Sequence, residues 1–204
     1  MRPLILASTS RYRAALFARL GLPFTLEAPG VEESALPGES AADLCVRLAE
    51  AKARAVAARH PDALVIGSDQ LADCDGVHVG KPGSRERARD QLARLSGRTV
   101  VFHTGVALVD ATSGSARTER VDIVSTLRTL TPGEIDDYLA REAPFDCAGS
   151  VKSESLGIAL FERIASDDPT ALVGLPLIAT CRLLRAAGVD VLGRRCAPSP
   201  GEGG

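Results

Sequence analysis

The segment Leu64-Val65-Ile66 constrains this chain most. Three consecutive apolar residues, two of them β-branched, leave no polar face. The run therefore reads as a buried strand of an α/β sheet. It stops at Gly67, and Ser68-Asp69-Gln70 follow at once. Ligands in α/β folds collect at the carboxyl ends of strands, so Asp69 is expected where chemistry is done. Gly80-Lys81-Pro82 follows as a second break carrying a cation. A carboxylate at a strand end with a lysine nearby suits a metal-bound phosphate ester. On this segment alone, Asp69 reads equally well as a turn cap.

The amino terminus adds a second constraint. Leu4-Ile5-Leu6-Ala7 is a short buried strand running into Ser8-Thr9-Ser10-Arg11-Tyr12-Arg13. A helix follows from Ala14, with Leu16 and Leu20 one turn apart and Gly21 as its stop. A strand, a hydroxyl-rich turn and a helix start together bind phosphate, because free N–H groups and the helix dipole both favour an anion. Ser8 and Ser10 can donate to phosphate oxygens, and Arg13 can grip two at once. The plainer alternative is a serine N-cap followed by solvated arginines.

These pieces, in their order, resemble the Maf-like nucleotide pyrophosphatases, most closely the branch acting on 7-methyl-GTP. The matching segments are Leu4 to Ser10 with Arg13, Val31-Glu32-Glu33, Ala49 to Ala53, Ile66 to Gln70 and Gly80-Lys81-Pro82. They continue with Cys147 to Ser150, Lys152-Ser153-Glu154, Gly157 and Leu172 to Leu177. Each is weak alone; their order and spacing are specific, and they span roughly residues 3–193. The resemblance implies hydrolysis of nucleoside triphosphates between the α and β phosphates, with a divalent metal: Mg2+ first, Mn2+ or Co2+ as alternatives. It implies Asp69 as general base, and Ser8, Arg13, Glu33, Lys52 and Lys81 as phosphate and metal contacts. The positions that separate substrate branches fall on Tyr12, Gln70 and Glu154. It also implies an inosine-triphosphatase-like fold and a homodimer. The chain departs from the family in carrying Arg11 for a common Pro, Ala14 for a second Arg, and Tyr12 where the 7-methyl-GTP branch tends to carry Trp.

The chemistry can be argued from the residues as well. Hydrolysis at phosphorus needs an activated water, neutralised oxygens and alignment. A hard cation prefers oxygen ligands and keeps several waters, which suits Asp69 and Glu33 as metal ligands. Asp69 would orient or deprotonate the water, while the metal lowers that water's pKa. Lys52 and Lys81 would neutralise the triphosphate. By helix pattern alone, Glu50-Ala51-Lys52 places its charges on a solvated face. An N7-methylated guanine is cationic, so an aromatic face such as that of Tyr12 attracts it by roughly 0.5–2 kcal/mol. Glu154 can add a charge-assisted hydrogen bond to the base, and Gln70 offers both donor and acceptor.

Composition narrows the partners. With 204 residues, 45% of them hydrophobic, the chain can build one large α/β unit or two closely packed lobes. A formal net charge of −2 gives no bulk attraction to nucleic acid or membrane. The absence of Trp argues against a stacking platform for single strands. No run is apolar enough to span a membrane and no signal peptide is evident, so a cytoplasmic enzyme is expected. The five cysteines are scattered with no C-x-x-C pair, which disfavours a zinc ribbon or a disulfide framework. Cys147 as a nucleophile lacks a suitable histidine. His60 precedes a Pro at a helix end, His78 falls in a turn region and His103 in a strand.

For the scaffold, the pattern predicts a strand at Phe24–Glu27, a helix near 41–59 capped by Ser40, and one near 85–95 capped by Ser84. It predicts a long strand from Thr99 to Val109 bent at Gly105, and a turn at Ser113-Gly114-Ser115 returning as a strand from Thr118 to Arg128. A helix begins at Thr131-Pro132, residues 148–161 are mostly extended, and Pro176 starts a last helix. The fold expected is a mixed sheet in two closely packed lobes around a central cleft, forming one domain over 1–193 with a disordered tail at 194–204. Three functions fit: cleavage of 7-methyl-GTP, the same chemistry on UTP, dTTP or other non-standard nucleotides, or a nucleotide-binding regulator of cell division.

Overall fold

The computed structural model describes residues 2–193; the expected tail at 194–204 lies outside the described residues. The strands are β1 (Leu4–Ala7), β2 (Thr25–Glu27), β3 (Leu64–Cys74), β4 (Val77–Val79), β5 (Thr99–Asp110), β6 (Ala116–Leu127) and β7 (Phe161–Ala165). The helices are α1 (Arg11–Ala18), α2 (Ala41–Ala57), α3 (Arg85–Leu95), α4 (Pro132–Glu142) and α5 (Leu177–Ala186). All seven strands form one mixed sheet in the order β2-β1-β3-β5-β6-β7, with β4 on the outer half of β3. β1 runs parallel to β2 and β3; the other pairings are antiparallel.

Side chains alternate across the sheet with period two. Leu4, Leu6, Leu64 and Ile66 pack with Phe17 of α1 and Leu183 and Leu184 of α5. Ile5, Ala7 and Val65 pack with Ala49, Ala53 and Val56 of α2. A second lobe forms where Ala88 and Leu92 of α3 meet Ile135, Tyr138 and Leu139 of α4. Its helix α4 starts at a capping box: Thr131 Oγ1 accepts from Glu134 N, and the Glu134 carboxylate accepts from Thr131 N.

The strand through Leu64–Ile66 does not stop at Gly67. Only its pairing with β1 ends there, at Ala7↔Gly67, while pairing with β5 continues through Asp69↔Gly105 to Asp73↔Val101. The long antiparallel partner satisfies the backbone of 68–73, so Asp69 sits inside a strand, just past the end of its parallel neighbour. Gly67 and Gly105 have another purpose. A Cβ on Gly67 would stand 2.2 Å from Ala49 O, and one on Gly105 2.5 Å from Cys45 O. The two glycines let the backbone of α2 lie directly on β3 and β5.

Three other expectations shift. α1 begins at Arg11 rather than Ala14, because Ser10 caps it by accepting from Arg13 N. His78 lies in β4 rather than in a turn. Residues 148–161 are not extended: they form 3-10 turns at Ala148–Ser150 and Leu156–Leu160. Gly149 and Ser150 adopt positive φ there, at 68° and 58°. Gly157 packs so tightly that a Cβ would stand 2.4 Å from Lys152 O.

Candidate active site

The end of β1, the start of α1, β3 and the second lobe enclose a cleft of about 580 Å³. Ser8, Ser10, Tyr12, Arg13, Glu33, Lys52, Asp69, Gln70, Lys81 and Glu154 all line it. The residues expected to contact phosphate, metal and base are therefore brought to one place.

At its floor lies a chain of charges. Asp69 projects on the α2 side of β3, opposite Gly105, whose missing side chain leaves room for the α2 backbone at Cys45. Lys52 Nζ lies 2.5 Å from Asp69 Oδ1 and 2.6 Å from Glu33 Oε1. Lys52 is 5% exposed and Asp69 6%. The solvated-face expectation for Lys52 is thus overturned. The sequence held a signal for this: Lys52 falls four residues after Leu48 and four before Val56, on the buried stripe of α2. A lysine there persists only because two carboxylates meet it. Burial works against ionisation of Glu33, but the hydrogen bond and charge of Lys52, with Lys81 and Arg13, hold its pKa below the ordinary value.

The phosphate-binding candidates gather at the start of α1. The Ser8 hydroxyl accepts from Ser10 N at 3.1 Å, and Ser10 Oγ accepts from Arg13 N at 3.4 Å. Ser10 is therefore the N-cap, and Arg11 and Tyr12 present the next N–H groups of the helix start. Arg13 Nε donates to Gly174 O at 2.8 Å, which turns the guanidinium edge on. Burial pushes the Arg13 pKa down, opposed by the charges of Asp69 and Glu33. Lys81 stands exposed on the rim.

Toward the second lobe lie the positions expected to read the base. The Tyr12 hydroxyl accepts from Arg11 Nη2 at 2.8 Å, and the Arg11 guanidinium carbon lies 4.8 Å from the ring centroid. A cation of the chain itself thus covers one face of that ring. Glu154 is exposed and lines the same cleft. Gln70 is partly committed elsewhere: its Nε2 donates to Ala171 O at 2.8 Å and Leu172 O at 3.0 Å. Cys147 also lines the cleft, but burial, with Asp146, pushes its thiol up to about 12, so it stays protonated and unreactive.

Sequence reasoning missed the groups that hold this arrangement. Arg47 donates to both Glu39 oxygens at 2.6 and 2.7 Å and to Ser34 O at 3.0 Å, fastening the loop beside Glu33. Ser68 Oγ lies 2.7 Å from Gly105 O and 2.9 Å from Gly174 O, sharing its one proton between them. Neither carries a local sequence signal.

Carboxylates that flank a buried lysine, facing a helix start with an arginine, are groups of the kind that hydrolysis of a polyphosphate chain requires. The family model described as Maf-like protein matches residues 3–187, and the chain belongs to that family. It is 56% identical over 194 residues to a 7-methyl-GTP pyrophosphatase of Polaromonas sp., covering 95% of this chain and 89% of that one. It is 58% identical over 191 residues to a 7-methyl-GTP pyrophosphatase of Bordetella pertussis, covering 93% and 94%. Among solved structures it is similar to a HAM1 protein from Coxiella burnetii, at 18% identity and a TM-score of 0.42, over 62% of this chain and 73% of that one.

Proposed function

We propose that this enzyme hydrolyses 7-methyl-GTP between the α and β phosphates, releasing 7-methyl-GMP and pyrophosphate and so clearing a modified nucleotide. The observation that carries the reading is Lys52, buried between Glu33 and Asp69 beside the α1 start. Relatives over nearly the whole chain carry this activity in their names.

The reaction follows from the residues. Lys52 fixes Asp69 through Oδ1, leaving Oδ2 to take the proton of the attacking water. The water oxygen bonds to phosphorus, the bridging P–O bond breaks, and its electron pair leaves with pyrophosphate. The Arg13 Nη groups, the Ser8 and Ser10 hydroxyls and the open N–H groups of α1 hold the phosphate oxygens. Lys81 faces the charge that grows on the leaving group.

Glu33 and Asp69 also fit a divalent cation. Both are hard oxygen donors, and because Lys52 Nζ takes Glu33 Oε1 and Asp69 Oδ1, a cation would be held through their other oxygens. Magnesium is commonly held by one or two carboxylates with substrate phosphates and water completing its shell. When bound, such an ion neutralises phosphate charge and lowers the pKa of water.

A cationic base suits Tyr12 and Glu154. The Arg11 guanidinium on the Tyr12 ring favours a second reading, the same chemistry on a neutral base such as that of UTP or dTTP. The free thiols of Cys45, Cys74, Cys147 and Cys181 suit a reducing cytoplasm.

The test is Asp69→Asn with Mg2+ and 7-methyl-GTP. Turnover is expected to fall at least about 100-fold while nucleotide binding persists. Normal turnover in the variant would remove Asp69 as the base.

A further inference from the structure

We propose that Asp168, which does not line the cleft, is a positioning residue for Arg13. This rests on the reading of Arg13 as a phosphate ligand. The link is the strap 168–177 that joins β7 to α5.

Pro176 occupies the N-cap of α5 and offers no side-chain acceptor. The open amides of that helix find one upstream instead: Asp168 Oδ2 accepts from Ile178 N at 2.6 Å and Ala179 N at 3.3 Å. Its other oxygen, Oδ1, accepts from Thr170 N at 3.1 Å and Thr170 Oγ1 at 2.8 Å. Thr170 Oγ1 accepts in turn from Leu177 N at 2.8 Å. One carboxylate, 2% exposed, therefore ties both ends of the strap together.

The tied strap turns its carbonyls onto the sheet. Ala171 O accepts from Thr104 Oγ1 at 3.0 Å and Gln70 Nε2 at 2.8 Å. Gly174, at φ 110°, points its carbonyl at Arg13 Nε, 2.8 Å away. A Cβ on Gly174 would stand 3.3 Å from that same nitrogen, so a glycine lets the strap come this close to the arginine without crowding it. A guanidinium grips phosphate through a planar fork, and one carbonyl on its Nε edge sets the direction of that fork. The strap sets the carbonyl, and Asp168 sets the strap. Displacing a gripping group by about 1 Å costs on the order of 100-fold in rate.

The test is a double-mutant cycle. Asp168→Asn keeps the shape but places an amide where four donors converge. It is expected to lower kcat/KM about 10- to 100-fold, and to weaken product inhibition by pyrophosphate, well below the melting temperature. In an Arg13→Ala background the same change is expected to cost less than about threefold, because its target is gone. Equal losses in both backgrounds, or unchanged kcat/KM in folded Asp168→Asn, would overturn the proposal. If Asp168→Asn does not fold, Thr170→Val takes its place in the same cycle with the same expectations. Arg13→Ala with normal turnover would instead sink the reading of Arg13 as a phosphate ligand.

Discussion

Replacing Gly67 by alanine tests how the fold delivers its lysine to its acid. The new Cβ would stand 2.2 Å from Ala49 O and 2.7 Å from Ala53 N, where ordinary contact begins at 3.4 Å. Both atoms belong to the backbone of α2, so no side chain can turn aside. The helix must retreat by about 1.2 Å at that point. Lys52 lies on α2 between those two contacts, and its ammonium is held 2.5 Å from Asp69. Overpacking of this kind costs roughly 1–3 kcal/mol, or roughly 2–12 °C in melting temperature for a chain of this size. A shift near 1 Å at the acid costs on the order of 100-fold in rate. Thermal melts and steady-state pyrophosphate release would measure the two effects. Gly133→Ala is the control: it lies in α4 with nothing within 4 Å of its would-be Cβ, and is expected to leave turnover unchanged. A Gly67→Ala enzyme with parental melting and turnover would refute the argument. Lower stability with normal turnover would show that α2 does not govern the lysine–acid geometry.

Other perturbations read other parts of the structure. Lys52→Met leaves Asp69 buried without its cation, and a loss of about 3–5 kcal/mol is expected in urea unfolding; an unchanged midpoint would contradict the bridging role. Arg47 holds Glu39 down to a pKa of about 2, below the roughly 4.3 of an unfolded glutamate. Its stabilisation is full above the unfolded value and drains as pH falls toward 2, so Glu39→Gln should flatten the acid limb of a stability–pH curve, and an identical slope would rule this out. Arg11→Ala uncovers the Tyr12 ring, so the preference for 7-methyl-GTP over GTP should rise about two- to fivefold in competition assays. A preference that falls would mean Arg11 itself helps to read the base.

Local chemistry made much of this architecture legible. Ser40, Ser84 and Thr131 each cap the helix that follows, because an N-cap depends on a few adjacent residues. What escaped was decided at long range. Gly67 looked like a strand end, but β5 pairs with β3 across it. Gly105 drew notice as a bend, whereas the close approach it permits, with a would-be Cβ 2.5 Å from Cys45 O, depends on a helix far back in the chain. Lys52 looked solvated until Asp69, 17 residues away, came to meet it. At residues 148–161 the apolar and polar pattern suggested extension, but the positive φ values at Gly149 and Ser150 fold the chain back. The strap held by Asp168 was invisible because a carboxylate serving a helix ten residues on matches no capping pattern.

The central claim is the bond cleaved and the base preferred. The direct measurement is phosphorus NMR of the products from 7-methyl-GTP, GTP, UTP, dTTP and ITP with Mg2+. The account predicts pyrophosphate and 7-methyl-GMP, formed fastest from 7-methyl-GTP. Orthophosphate with 7-methyl-GDP, or faster cleavage of UTP or dTTP, would contradict it.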